Sequence, residues 1–190
     1  MPDLSVVIPV QNEEENIRML IDEVRQSLDG VLDYELIYVN DGSSDSTLSI
    51  LKEYAANFPR LRIFSHQLGV GQSSAVRTGI QQALAENIAT LDGDGQNDPA
   101  DIPALYQALQ DNAGDGVVLV NGYRRKRRDT FIKRITSRIA NAIRSWLLDD
   151  NTPDTGCGLK VFKREAYLAI PFFDHLHRFL PAMIINGGGK

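Results

Sequence analysis

Apolar positions along this chain alternate between two spacings. Leu4-Ser5-Val6-Val7-Ile8-Pro9-Val10 is a nearly unbroken apolar run that stops at polar residues, the mark of a buried strand. From Asn12 to Leu28 the spacing turns helical, with Ile17, Leu20, Ile21, Val24 and Leu28 on one stripe. The pattern predicts further strands over 34–39, 61–65, 87–91 and 116–120. Helices are predicted through Leu48, Leu51 and Tyr54, over 73–85, and over 103–109. Strand and helix alternate about every 25–30 residues, which argues for an α/β layer with a largely parallel sheet. Ligands in such sheets gather outside the carboxyl ends of the strands. The polar loops 9–14, 40–45 and 92–98 all fall at such ends, so one shared site is expected there.

After Gly122 the pattern changes. Phe131, Ile132, Ile135, Ile139, Ile143, Trp146 and Leu147 predict one helical face, flanked by Lys133, Arg134, Arg138 and Arg144. The chain then passes through a turn at Asp154-Thr155-Gly156-Cys157-Gly158 to a late strand over 159–162. The net charge of −5 hides an asymmetry, because 124–144 holds nine Lys/Arg and one acid. Local basicity in an acidic protein points to an anionic partner surface or to a solvated helix face, and nucleic acid is not expected as a partner. The length of 190 residues predicts one domain. A single cysteine, Cys157, excludes an internal disulfide and fits a reducing compartment. The first residues lack a basic, apolar leader, and no apolar run approaches the roughly 20 residues that span a bilayer. Gly187-Gly188-Gly189-Lys190 is read as an imposed end, so a catalytic domain shortened at its C-terminus is expected.

Chemistry concentrates in Leu91-Asp92-Gly93-Asp94-Gly95-Gln96-Asn97-Asp98-Pro99. If the preceding strand continues through it, residues i and i+2 share a side, and Asp92 with Asp94 grips one hard divalent cation. Mg²⁺ and Mn²⁺ favour oxygen ligands, and Mg²⁺ commonly combines one or two carboxylates with phosphate oxygens of a substrate. Gly93 and Gly95 are expected to leave room for a bulky ligand against the backbone. Asp and Gly are also the commonest turn residues, so a plain turn is the competing reading.

Taken together, Pro9-Val10-Gln11-Asn12-Glu13-Glu14, Val39-Asn40-Asp41-Gly42-Ser43-Ser44-Asp45-Ser46-Thr47 and Leu91-Asp92-Gly93-Asp94-Gly95-Gln96 resemble family 2 glycosyltransferases with the Rossmann-like GT-A fold. Gly71-Gln72-Ser73-Ser74-Ala75, Gly122-Tyr123-Arg124, Asp154-Thr155-Gly156-Cys157-Gly158 and His177-Arg178-Phe179-Leu180-Pro181-Ala182 resemble the branch containing dolichol-phosphate mannosyltransferase and bacterial polyprenyl-phosphate glycosyltransferases. The resemblance implies a mostly parallel sheet flanked by helices, and transfer of a sugar from a UDP- or GDP-sugar to a polyprenyl phosphate. It implies that Pro9, Gln11, Glu13, Asp41 and Gln72 bind the nucleotide-sugar, with Asp41 accepting a base N–H. Asp92, Asp94 and Gln96 would hold Mg²⁺ or Mn²⁺. Arg124, with Lys133 or Arg134 and Ser137, would bind the acceptor phosphate, and Arg178 would lie near the diphosphate. Asn40 and Ser43 are expected in local turn bonds, with Asp45 or Ser46 capping the next helix.

A polyprenyl phosphate is already an anionic nucleophile, so no catalytic base is demanded, and His177 is the weaker candidate beside Arg178. The basic segment then suits a peripheral position at the cytoplasmic face of a membrane. Transfer to a glycan or other hydroxyl, and a non-catalytic binding module, are the alternatives. Four positions depart from the family pattern: Gln11 stands where many relatives carry Tyr, Gly69 where they often carry Asn, and Gly93 and Gly95 where bulkier residues are common.

Overall fold

A computed structural model describes residues 1–122 and 157–190. Its main elements in chain order are β1 (Leu4–Val10), α1 (Ile17–Leu28), β2 (Tyr34–Asp41), α2 (Thr47–Ala55), β3 (Leu61–His66) and α3 (Gln72–Gln82). They continue as β4 (Asn87–Thr90), α4 (Ile102–Asp111), β5 (Leu119–Asn121), β6 (Lys160–Lys163), α5 (Arg164–Leu168) and α6 (Leu176–Asn186). Arg124, Arg125–Arg128, Lys133, Arg134, Ser137, the basic helical pattern and Asp154-Thr155-Gly156 lie outside the described residues.

The described strands form one sheet in the order β3-β2-β1-β4-β6-β5. β3, β2, β1 and β4 run parallel to one another, whereas β6 runs antiparallel to both β4 and β5. This is the expected mostly parallel α/β sheet flanked by helices. Leu4, Val6, Ile8 and Val10 of β1 face a core shared with α1 and α4, while Val7 faces a second core with α3 and α6. Covering both faces explains why the central strands read as continuous apolar runs rather than alternating ones. Gly79 of α3 lies directly over β1, since a Cβ there would stand 2.4 Å from Val7 Cγ1.

Several boundaries differ from the sequence reading. β2 runs on through Asn40 and Asp41, which pair with Ser65 and His66, so Asp41 ends a strand instead of sitting in a loop. β5 begins at Leu119, because Gly116 takes φ +79 in the preceding turn. The turn before α1 lasts through Asn16, with Asn12 itself at φ +57. Among the described residues, no helix is long and apolar enough to cross a membrane.

At the amino ends of the strands, buried Glu35 ties the sheet together. Its Oε1 accepts hydrogen bonds from Ser5 Oγ and Leu84 N, both at 2.6 Å, and its Oε2 pairs with Arg62 Nη1 at 2.5 Å. Ser5 Oγ in turn accepts from Ala85 N at 3.1 Å, so β1, β2, β3 and the turn before β4 meet in one network. Removing one member of a buried charged network leaves the others unpaired. Glu35→Ala is expected to lower the unfolding free energy by about 3 kcal/mol, measured by urea denaturation.

Candidate active site

The loops after β1 and β2 clasp each other at the carboxyl edge of the sheet. Asn12 Oδ1 accepts from Ser44 N at 2.8 Å, and Ser43 Oγ accepts from Asn12 N at 2.9 Å. Glu14 Oε2 accepts from Ser46 N at 2.8 Å, while Glu13 N donates to Thr47 Oγ1 at 2.9 Å. The expected local bonds are present: Asn40 Oδ1 accepts from Ser43 N at 3.3 Å, and Asp45 Oδ1 accepts from Thr47 N at 3.0 Å. Asp45, not Ser46, therefore supplies the side-chain acceptor at the start of α2. Glu13 holds Asn16 Nδ2 at 2.7 Å.

Asp41 makes hydrogen bonds within the protein. Its Oδ1 meets His66 Nδ1 at 2.7 Å and Val70 N at 3.0 Å, and its Oδ2 accepts from Gly71 N at 2.8 Å. Burial pushes this carboxyl up, but the hydrogen bonds from Val70, His66 and Gly71 outweigh it and hold the pKa below the usual value. Asp41 thus anchors the loop between β3 and α3. That loop carries Leu68 and Val70, 77% and 53% exposed, to the rim of the site. Two of the departures from the family pattern meet here. A Cβ on Gly69 would lie 2.4 Å from Gln11 Nε2, so the glycine makes way for the glutamine.

The segment after β4 corrects two expectations. β4 ends at Thr90, so Asp92 and Asp94 lie in a turn and owe nothing to strand alternation. Gly95 takes φ +68 there, and Asp94 Oδ1 accepts from Gln96 N at 3.1 Å, a local turn bond. At Gly93 the space that a side chain would take is filled by β1 rather than left open for a ligand. A Cβ there would meet Val10 Cγ1 at 2.5 Å and Pro9 O at 2.9 Å, so its backbone packs on the end of β1. The small residue serves close packing of the turn on its own sheet.

Asp92 stands at a cavity of about 120 Å³, together with Pro9, Gln72 and Arg178 of the expected site. Gln72 Nε2 donates to Asp92 Oδ1 at 2.8 Å. The other side of the carboxylate presses on Gly158, where a Cβ would stand 2.0 Å from Asp92 Oδ2. Gly158 O also accepts from Thr90 Oγ1 at 2.9 Å, locking the start of β6 to the end of β4. Gln11, Glu13 and Asp41 lie outside this cavity, along its rim loops, and Asp94 and Gln96 are exposed on the turn beside it.

The sequence reading missed Lys160. It is 4% exposed, lines the cavity, and donates from Nζ to Cys157 O. The available signal was a lysine inside an apolar strand, between Leu159 and Val161-Phe162. Ser73 was quoted only within a motif, yet it is buried and shares a 2.6 Å hydrogen bond with His177 Nδ1. Burial, with Arg178, Lys160 and His175 nearby, lowers the His177 pKa from 6.5 to about 4. His177 is therefore neutral at pH 7 and a weak base.

A histidine whose folded pKa is depressed binds fewer protons folded than unfolded between those two values, so its contribution to stability is complete above 6.5 and lost as pH falls toward about 4. His177→Gln is expected to flatten the acid limb of the stability profile over that window, read from urea midpoints at successive pH values.

Residues 5–170 match the model of the family described as Glycosyl transferase family 2. The dodecaprenyl-phosphate galacturonate synthase of Rhizobium johnstonii is 35% identical over 185 residues, 96% of this chain and 54% of the relative. The undecaprenyl-phosphate 4-deoxy-4-formamido-L-arabinose transferase of Proteus mirabilis is 34% identical over 183 residues, 95% of this chain and 55% of the relative. The chain spans about half the length of these curated relatives. Among solved structures, glucosyl-3-phosphoglycerate synthase of Mycobacterium tuberculosis, in complex with Mn²⁺, UDP-glucose and phosphoglyceric acid, aligns with TM-score 0.69 at 25% identity. It covers 90% of this chain and 60% of that one. A mannosyltransferase of Pyrobaculum calidifontis with GDP-Man and Mn²⁺ has TM-score 0.63 at 21% identity, covering 88% of this chain and 46% of that one, and speaks for the fold alone. The fold is GT-A, the relatives' names match the polyprenyl-phosphate branch that the motifs indicated, and the chain belongs to glycosyl transferase family 2.

Proposed function

We propose that this chain is the catalytic domain of an inverting, metal-dependent glycosyltransferase that moves a sugar from a UDP- or GDP-sugar to a polyprenyl phosphate. The observation that carries the reading is Asp92, which lines the cavity and is held by Gln72 against Gly158. The similarity to polyprenyl-phosphate sugar transferases over nearly the whole chain supplies the acceptor class.

The donor set suits Mg²⁺ or Mn²⁺. Among the described residues no group of three or more His, Cys, Asp or Glu side chains is arranged to hold a metal. Asp92 and Asp94, with Gln96, would therefore supply only part of a coordination sphere, as is usual where substrate phosphates complete it. When bound, the cation neutralises charge on the leaving nucleoside diphosphate. The protein's own residues do the rest. Asp92 is oriented by Gln72, Pro9 and the clasped loops border the nucleotide, and Arg178 faces the developing charge at the cavity mouth. Attack by an acceptor phosphate oxygen on the anomeric carbon forms one C–O bond as the bond to the diphosphate breaks on the opposite face. That nucleophile needs no deprotonation, which agrees with a neutral, weakly basic His177. Arg124, Lys133, Arg134 and Ser137 are proposed for the acceptor phosphate, at the cytoplasmic face of the membrane.

Calorimetric titration of UDP, GDP and their sugar conjugates with Mn²⁺, then with EDTA, tests the donor site. One nucleotide should bind only with metal. Asp94→Asn should weaken that binding by about 100-fold or more, and Gly158→Ala should do the same by displacing the Asp92 carboxylate. Metal-independent binding, or normal turnover of Asp94→Asn, removes Asp94 from the site. Radiolabel entering a water-soluble product rather than lipid defeats the acceptor assignment, and binding without turnover across a lipid panel favours a binding module.

Membrane association has its own test. Neutralising Arg125, Lys126, Arg127 and Arg128 together should weaken sedimentation with anionic liposomes, by about 1 kcal/mol for each charge at the surface. Unchanged sedimentation at low salt defeats the peripheral placement.

A further inference from the structure

His66 belongs to none of the sequence motifs above, yet it joins three elements at the rim of the site. Its place follows from topology. β2 and β3 are parallel with Asp41 opposite His66, each the last residue of its strand. Alternation sets the direction of both side chains. Ile37 and Val39 of β2, and Phe64 of β3, pack in the core on the α3–α6 face, so Asp41 and His66 continue those rows toward α3. A polar pair thus stands where an apolar pair would otherwise complete the core. The side chain of Asp41 is only 4% exposed, and a carboxylate so buried keeps its charge only when donors surround it.

Both ring nitrogens of His66 have partners. The ionised Asp41 carboxylate can only accept, so Nδ1, 2.7 Å from Asp41 Oδ1, carries a proton and donates it. Nε2 lies 2.9 Å from Thr78 Oγ1 on α3. A hydroxyl both gives and takes hydrogen bonds, so this contact holds for the neutral and the charged ring alike. The chain of bonds from Asp41 through His66 to Thr78 ties the ends of β2 and β3 to the second turn of α3.

What it encloses is the loop 67–71. The Asp41 carboxylate that His66 holds also accepts from Val70 N and Gly71 N. The middle of the loop lies flat on the neighbouring strand ends. A Cβ on Gly42 would stand 2.5 Å from Gly69 N, and one on Gly69 would collide with Gln11 Nε2. The same loop holds Leu68 and Val70 out to solvent. Apolar side chains beside a few placed polar groups are the ordinary lining of a ligand site.

We propose that His66 is a positioning residue. Through Asp41 and Thr78 it holds the loop 67–71 against Gln11 and Gly42, and so fixes the rim along which a nucleotide lies. That the ligand is a nucleotide rests on the glycosyltransferase reading above, whereas the holding of the loop does not.

Amide exchange followed by NMR, and isothermal titration of UDP and GDP with Mn²⁺, test this on the whole chain. Substitutions separate the two ring nitrogens. His66→Asn puts an amide donor at the position of Nδ1 and keeps the bond to Asp41. His66→Gln reaches the position of Nε2 and keeps only the bond to Thr78, and His66→Ala keeps neither. His66→Ala and His66→Gln should each speed exchange of the Val70 and Gly71 amides by about 10-fold or more. Both should raise the nucleotide dissociation constant by about 10-fold. His66→Asn should stay within about threefold of the unmodified chain in both readouts. A residue that only adds stability leaves the dissociation constant of a folded chain unchanged. Should His66→Ala fail to fold, the contrast between His66→Gln and His66→Asn carries the test.

Unchanged exchange at Val70 and Gly71 in His66→Gln overturns the proposal. Faster exchange with unchanged nucleotide affinity also overturns it, and so does a loss of affinity that His66→Asn does not rescue. An unmodified chain that binds neither UDP nor GDP sinks the donor reading instead, and the exchange rates alone then decide whether His66 holds the loop.

Discussion

β1 lies between β2 and β4 and is parallel to both, so three carboxyl ends emerge on one edge of the sheet. Everything at the site depends on that pairing. It places the loop after β1 against the loop after β2, where Asn12, Glu14, Ser43 and Asp45 exchange side-chain to backbone hydrogen bonds. It also lets the turn after β4 fold back onto the end of β1, where Gly93 meets Val10 and the Pro9 carbonyl. Backbone groups left unpaired by the strands at this edge are satisfied between loops. The edge is therefore a built surface before any ligand arrives.

The antiparallel strand β6 adds what parallel strands cannot. It enters the sheet from the opposite direction, bringing Gly158 against Asp92 and Lys160 beside it. One carboxylate oxygen is held by Gln72 from α3, and the other is packed by a backbone with no Cβ. Two layers of the protein thus fix the orientation of one acid. Orientation in advance is what a site that stabilises developing charge requires, because reorganisation then costs little during the reaction.

Charge around the cavity is divided by solvent exposure. His177 is kept neutral by burial and by its cationic neighbours, and it shares its hydrogen bond with Ser73. Asp41 is kept ionised by the donors of the loop that it anchors. Neither residue is poised to exchange a proton near neutrality. The acceptor proposed above, a phosphate that is anionic from the outset, needs no such exchange.

Much of this was legible in the residues themselves. Apolar spacing located the strands and helices, since a sheet covered on both faces needs continuous apolar runs and a covering helix needs one stripe. Their alternation implied the parallel sheet, and the polar segments around Asp41 and Asp92 fell at its carboxyl edge. Local chemistry was equally readable where it is local: Asn40 and Asp45 bond within their own turn, as short polar side chains do. Contacts across the chain were not readable, because they depend on distances that no spacing encodes. Gly93 is small to meet β1, Gly69 to meet Gln11, and Gly158 to meet Asp92, each an approach between segments distant in sequence. Asp41 spends its oxygens on a loop about 30 residues further on, and Lys160 joins the site only because β6 runs backwards. The sequence by itself determined which elements form and at which edge their polar loops collect. Only the tertiary structure decided which side chain meets which, because that follows from strand order, strand direction and the space left between packed backbones.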